Sequence, residues 1–236
     1  MTPKVESLWR HPIKAVGRES LGQTIVNARQ TMPGDRLWAV AHEASKAVDG
    51  EWTRCGGFIR AASSPALMAV EARSDGTMLH LTHPARPPLS IDPEVDGPQL
   101  IEWLKPLVAE GRAAPERLVR APQGRGMTDS PEPSISLGNL TSHRIVEQRL
   151  GRALSIHRWR CNIWIEGLAP WEEFDLIGQT FAIGTARVEA YARIQRCEST
   201  SANPETGRRD ADLLQILDDY GHQDFTVGLR VVADGT

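Results

Sequence analysis

Cysteine is scarce in this chain: three occur in 236 residues, at Cys55, Cys161 and Cys197. An odd count with no C-x-x-C spacing excludes a disulfide framework, a zinc ribbon and a four-cysteine iron–sulfur cluster built from this chain alone. Long apolar runs are missing too. No stretch reaches the roughly 18 residues that a membrane-spanning helix needs. Met1-Thr2-Pro3-Lys4-Val5-Glu6 has no apolar segment behind it, so no secretory signal is expected and the chain reads as soluble and cytoplasmic, without a membrane partner. There is no basic excess: 27 Lys and Arg stand against 30 Asp and Glu. That balance argues against a nucleic-acid partner, which would need a clear positive surplus. Lysine itself is rare, limited to Lys4, Lys14, Lys46 and Lys105. A lysine in a motif therefore carries more information than an arginine. What remains is an ordinary globular balance, with 40% hydrophobic and 24% charged residues. At about 150 residues per domain, this length suits one large domain or two small ones.

Short strands dominate the pattern. Val5 to Trp9 alternates and stops at His11-Pro12. Met32-Pro33-Gly34-Asp35 is turn chemistry ahead of a buried strand, Leu37 to Ala41. Leu67 to Glu71 and Met78 to Leu81 flank Ser74-Asp75-Gly76 as a hairpin, the Asp-Gly supplying the positive-φ turn residues. His80 and His83 fall on opposite faces of a strand and read as surface. The Pro- and Asp-rich stretch 84–98 reads as a connection. Leu100, Trp103, Leu104, Leu107 and Val108 form one helical stripe, which Pro106 should kink or end. Residues 121–133 read as a long loop. A helix is expected from Thr141 to Leu150, closed by Gly151, and another from Asp210 to Gly221. Further strands fall at 162–165, 180–183, 187–191 and 225–232. These elements predict a mainly β chain with a few helices (α+β), divided into a β-barrel-like unit at 1–95 and a second β-barrel unit at 96–236.

Three stretches carry chemistry. Cys197 follows an apolar strand and opens a polar loop, Arg196-Cys197-Glu198-Ser199-Thr200-Ser201-Ala202-Asn203-Pro204-Glu205-Thr206-Gly207. Arg193 and Arg196 are close in sequence, and cationic neighbours favour a reactive thiolate; the plainer alternative is a buried structural cysteine. Cys55 and Cys161 have no comparable loop and read as structural. In His157-Arg158-Trp159-Arg160-Cys161-Asn162, alternation puts Arg158, Arg160 and Asn162 on one strand face. Two guanidinium forks and an amide there suit an anion, or simply a solvated face. Lys14, at the end of Trp9-Arg10-His11-Pro12-Ile13-Lys14, is by itself a surface lysine.

Together these stretches resemble a known family. Trp9 to Lys14 and Gly34-Asp35-Arg36-Leu37-Trp38 are similar to the N-terminal barrel that precedes MOSC domains. Arg158 to Ile165 resembles that family's Arg-Phe-Arg-Pro-Asn stretch. Arg196 to Gly207 resembles its Arg-Cys-x-x-Thr-Thr-Val-Asp-Pro-Asp-Thr-Gly loop. The family includes the mitochondrial amidoxime-reducing component and the bacterial YcbX-type proteins. The resemblance implies a molybdenum cofactor of the molybdopterin type, held between two β-rich units. By that resemblance Cys197 is the molybdenum ligand and catalytic residue, and Lys14, Arg36, Thr128, Ser130, Arg160 and Asn162 hold the pterin and its phosphate. It further implies an oxidoreductase that reduces small N-hydroxylated substrates, with the metal cycling between Mo(IV) and Mo(VI) and electrons arriving from a separate electron-transfer protein. The alternative is a carrier of the cofactor or of sulfur without reductase activity. The chain departs from the family pattern at Ala15, where Ser is usual, at Cys161, where Pro is usual, and at Ala202-Asn203 in place of Val-Asp.

Overall fold

The computed structural model describes residues 2–236. Its strands are β1 (Lys4–Arg10), β2 (Glu19–Leu21), β3 (Trp38–His42), β4 (Glu71–Ser74), β5 (Leu79–His83), β6 (Arg86–Ile91), β7 (Pro115–Arg120), β8 (Ile135–Asn139), β9 (Ile163–Glu166), β10 (Thr180–Ile183), β11 (Ala186–Gln195) and β12 (Asp224–Ala233). The helices are α1 (Gly97–Leu104), α2 (Leu140–Leu150) and α3 (Leu213–Asp218). Burial alternates residue by residue along β5 and through the first half of β11, as a half-buried strand requires.

Seven strands form one sheet in the order β10-β11-β12-β8-β9-β1-β2, which curls into a half-barrel. Its pairings are antiparallel except β8 with β9, where α2 makes the crossover. Inside the curl lie Ile135, Leu137, Ile163, Val188, Val227 and Leu229. A second layer, under α2 and α3, packs Trp159, Trp164, Phe225, Leu213 and Leu217. The other module is smaller: the two-stranded antiparallel sheet β3-β7, the three-stranded sheet β4-β5-β6, and α1. Its core gathers Ile13, Val40, Leu67, Leu81, Leu100, Trp103 and Leu104.

The helix signals act as their chemistry dictates. Asn139 caps α2 by accepting from Thr141 N at 3.0 Å, and Gly151 closes it in the left-handed conformation at φ 77°. Asp212 caps α3, accepting from Gln215 N at 3.0 Å. α1 ends at Leu104, and the chain tightens into a 3-10 turn around Pro106.

Packing moves the boundary expected at 95/96. α1 is buried in the core of the small module, and β7 pairs with β3 along its length, so the chain leaves that module only after Arg120. The stretch 84–98 misleads because β6 holds Pro87 and Pro88 at an exposed sheet edge, where a missing N–H costs no ladder bond. The modules are also not contiguous in sequence. β1 pairs with β9 and β2 with β1, so the N-terminal strands complete the large sheet. His83 is buried, its ring edge-on to Trp103 and its Nε2 3.2 Å from Ala66 O: it does lie on the face opposite His80, but alternation makes that the inward face shared with Leu79 and Leu81.

The crossing between modules, residues 121–134, is threaded tightly past the turn at Asp35. Met127 N donates to Arg36 O at 2.8 Å, and a Cβ on Gly126 would collide with the backbone oxygen of Asp35. Backbone cannot rotate aside as a side chain can. Gly126→Ala is therefore expected to cost about 2 kcal/mol and to lower the thermal midpoint by about 5 °C; an unchanged melt would show that the crossing yields freely.

Candidate anion-binding cleft

Between the two modules lies a cleft of about 370 Å³. Its wall is assembled from chain reversals that hold ordinary residues in the left-handed region: Ala15 at φ 62°, Arg36 at φ 50° and Arg160 at φ 47°. Non-glycine residues adopt that region at a cost, and such strain collects at functional sites. Lys14 N donates to Trp38 O at 2.7 Å, which fixes the first reversal. Its ammonium is buried and donates to Met127 O at 2.8 Å and to Asp129 Oδ1 at 2.5 Å. Burial pushes the Lys14 pKa below the ordinary lysine value, and Asp129 holds part of it up.

The arginines are locked to backbone. Arg36 pairs with Asp35 and donates through Nη2 to Arg160 O at 3.0 Å. Arg160 in turn donates to Gly17 O at 3.2 Å and Ile13 O at 3.3 Å. Burial and the neighbouring Arg36 charge lower the Arg160 pKa to about 9, so it remains cationic at neutral pH. Behind them, Asp35 accepts from His11 N at 2.8 Å. Burial opposes the Asp35 charge, yet the Arg36 guanidinium and His11 hold the carboxyl well below its usual range.

Burial, with Arg160 adding to it, depresses His11 from 6.5 to about 3. The folded protein keeps this ring neutral while the unfolded chain protonates it, so stability falls as pH drops from about 6.5 towards 3, by up to about 1.4 kcal/mol per pH unit. Urea midpoints measured at pH 7, 6 and 5 should fall more steeply in the parent than in His11→Gln. Equal slopes would contradict the neutral ring.

The opposite wall is the loop after β11. Cys197 is exposed, with its Sγ 3.2 Å from Ser199 Oγ, and it opens a 3-10 turn, Glu198–Ser201. The turn is pinned from below by Arg158, which donates to Thr200 O at 3.3 Å and Ser201 O at 3.0 Å and pairs with Asp210. From the small module, Arg18 donates to Pro204 O at 3.0 Å, and Arg209 reaches back to Ala62 O. Ala202 is buried in the small module's core. The loop thus rivets the modules together at the cleft.

The structure brings Lys14, Arg36, Thr128, Ser130, Arg160, Asn162 and Cys197 to this one cleft. Several details differ from the sequence reading. Ile156–Trp159 is a 3-10 turn and β9 begins only at Ile163, so Arg158, Arg160 and Asn162 do not share a strand face. Arg158 is buried behind the Cys197 loop. Arg193 lies 4.3 Å over the Phe174 ring, outside the cleft wall; Arg196 does line it, with a buried, unpartnered Nε. Asn162 spends its carboxamide on the fold, accepting from Ser136 N and Oγ at 3.1 and 2.9 Å and donating to Trp9 O at 3.1 Å. Cys161 is buried against Ser136 O and Ile163 O, and burial pushes its thiol up to about 11. Cys55, by contrast, is half-buried in the cleft wall.

Sequence reasoning passed over Arg60, Asp129 and Tyr191, which also line the cleft. Tyr191 sits 3.1 Å from Ser130 Oγ and rests against Gly228, where a Cβ would fall 2.7 Å from the ring. That close approach is a cross-strand match with no local signature. Asp129 had one, its place between Thr128 and Ser130.

A wider depression of about 790 Å³ lies on the small module between α1 and β7. It holds none of these residues, and Arg120 on its wall is already paired with Glu94 at 2.6 Å.

These features define a two-module β protein with a cationic, hydroxyl-lined cleft and an exposed thiol at its wall. Residues 2–113 match the MOSC N-terminal beta barrel domain and residues 125–236 match the MOSC domain, so the chain belongs to the MOSC family in its form with the N-terminal barrel. Among solved structures it is similar to YiiM from Geobacillus stearothermophilus, at 22% identity over 43% of this chain and 48% of that one, with a TM-score of 0.34. It is also similar to the YUAD protein from Bacillus subtilis, at 9% identity over 100% of this chain and 90% of that one, with a TM-score of 0.43. No curated protein matches the chain. Among the described residues no helix is long and apolar enough to cross a membrane.

Proposed function

We propose that this chain is a molybdenum-cofactor-binding oxidoreductase that reduces small N-hydroxylated compounds with electrons from a separate protein. The observation that carries this reading is the meeting of a buried lysine, two backbone-locked arginines and an exposed cysteine around one cleft. The donor set fits a phosphorylated, metal-bearing group. Lys14 already holds a carboxylate oxygen where a phosphate oxygen would go, and Arg196 Nε is buried without a partner. The volume falls in the range of small-ligand pockets, roughly 300–1,000 Å³.

In this reading Lys14, Arg36 and Arg160 bind the phosphate, and Thr128 and Ser130 add hydroxyl donors. Asn162 acts as a positioning residue that ties β1 to the Ser136 backbone beneath the ligand. Cys197 supplies a soft thiolate to the metal. When bound, the cofactor supplies a centre able to take an oxygen atom and pass on two electrons. The overall reaction consumes two electrons and two protons for each N–O bond cleaved, releasing water and the reduced nitrogen compound.

The test is amidoxime reduction by the holoprotein, made in a host that assembles the cofactor, with an artificial two-electron reductant. Turnover supports the reductase. Bound molybdenum with no turnover on any N-hydroxylated substrate supports the carrier instead.

A further inference from the structure

The cleft wall contains five cationic side chains, Lys14, Arg36, Arg60, Arg160 and Arg196, and one carboxylate, Asp129. That carboxylate sits on the most buried of the cations. The Lys14 side chain is 7% exposed while that of Asp129 is 73% exposed, so one partner is fixed and the other free to leave. Lys14 is held independently by Met127 O at 2.8 Å.

The backbone on either side of Asp129 is anchored as well. Trp52 Nε1 donates to Thr128 O at 3.0 Å, and Arg125 Nη2 donates to Ser130 O at 3.0 Å while stacking 4.6 Å over Trp52. Among the described residues the Asp129 side chain has one ion pair, with Lys14, and no second restraint.

Resting on the anion-site reading above, we propose that Asp129 is a built-in competitor for the phosphate position on Lys14 and sets which anions the cleft retains. One carboxylate oxygen occupies the place of one phosphate oxygen. An incoming phosphate must displace it, and the released carboxylate then stays close to the bound anion as a like charge. Such a repulsive element weakens every anion that binds through its charge alone. A ligand with a second attachment in the cleft, through its ring system or through Cys197, overcomes the same penalty. Asp129 thereby discriminates a tethered organic phosphate from free inorganic phosphate.

The experiment is calorimetric titration of cofactor-free protein with inorganic phosphate at constant ionic strength. It compares the parent, Asp129→Asn, Asp129→Ala and the double variant Asp129→Ala/Lys14→Met. Removing the competing charge should tighten phosphate binding about tenfold, with Ala at least as strong as Asn. The double variant should lose the gain, because the freed position is on Lys14. Thermal melts without phosphate confirm that each variant is folded.

Parent-like phosphate affinity in both single variants overturns the competitor and leaves the anion site standing. A gain that survives loss of Lys14 also overturns it, since the carboxylate would then act through the general field. No phosphate binding in any folded variant overturns the competitor and the anion site together.

Discussion

Cys197→Ser is expected to abolish amidoxime turnover, a loss of at least about 100-fold, while bound molybdenum falls far less. The thiol is exposed on the cleft wall and followed by a turn that fixes its backbone, Thr200 N and Oγ1 both returning to Cys197 O at 3.1 Å. A serine hydroxyl fits the same space and keeps the turn. It is a harder donor and does not ionise near neutral pH, so it cannot replace a soft thiolate on the metal. The cationic wall is untouched by the change, so a cofactor held there should stay. Cys161→Ser is the control: that sulfur is buried against two carbonyl oxygens and faces no ligand. Metal content and initial rates on all three proteins decide the matter, and full activity in Cys197→Ser would remove the metal-ligand role.

Arg158→Ala should have the largest effect on folding. Its guanidinium is 2% exposed and joins the 3-10 turn before β9 to Thr200 O, Ser201 O and Asp210. Truncation removes the Arg158 donor from Thr200 O, while Ser201 O keeps Asp210 N and the Asp210 carboxylate keeps Asn203 and Arg152. Asp210 is partly exposed and water can reach it, which limits the loss. About 3 kcal/mol is expected, or a fall in thermal midpoint of about 6–12 °C. Arg158→Lys should recover little of it, because one ammonium lacks the two separate Nη groups that reach the loop carbonyls and Asp210. The same truncation should free the loop, so that limited proteolysis cuts between Glu198 and Arg209. A melt within 1 °C of the parent would show that the loop is held by its own turns and by Arg18 and Arg209.

Local chemistry was legible and long-range chemistry less so. The close of α2 at Gly151, the hairpin at Asp75-Gly76 and the end of α1 near Pro106 follow from side chains next to one another in sequence, whereas α3 is shorter than the expected 210–221, starting only after its cap Asp212 and ending at Asp218. β6 was hidden by its prolines, and β8 by a loop-like approach through Pro131 and Pro133, although its core residues Ile135 and Leu137 alternate correctly. The boundary expected at 95/96 overlooks long-range packing: α1 joins the small module's core and β7 pairs with β3, and no local pattern announces that pairing or the one between β1 and β9. At the cleft, motif likeness brought together residues that spacing alone could not. It missed Asp129, Tyr191 and Cys55, whose places depend on how the 121–134 crossing and the two modules meet. Alternation failed between Arg158 and Asn162 because Arg160 reverses the chain at φ 47°, which sends Arg158 under the loop and leaves Arg160 in the cleft.

The central claim is that the cleft between the modules binds a molybdenum cofactor. It is tested most directly by the molybdenum and pterin content of the parent chain, purified from a host that makes the cofactor in excess. The account predicts both at close to one per folded chain, and a loss of both when Lys14 and Arg160 are replaced together. A folded parent protein free of molybdenum and pterin under those conditions would contradict it.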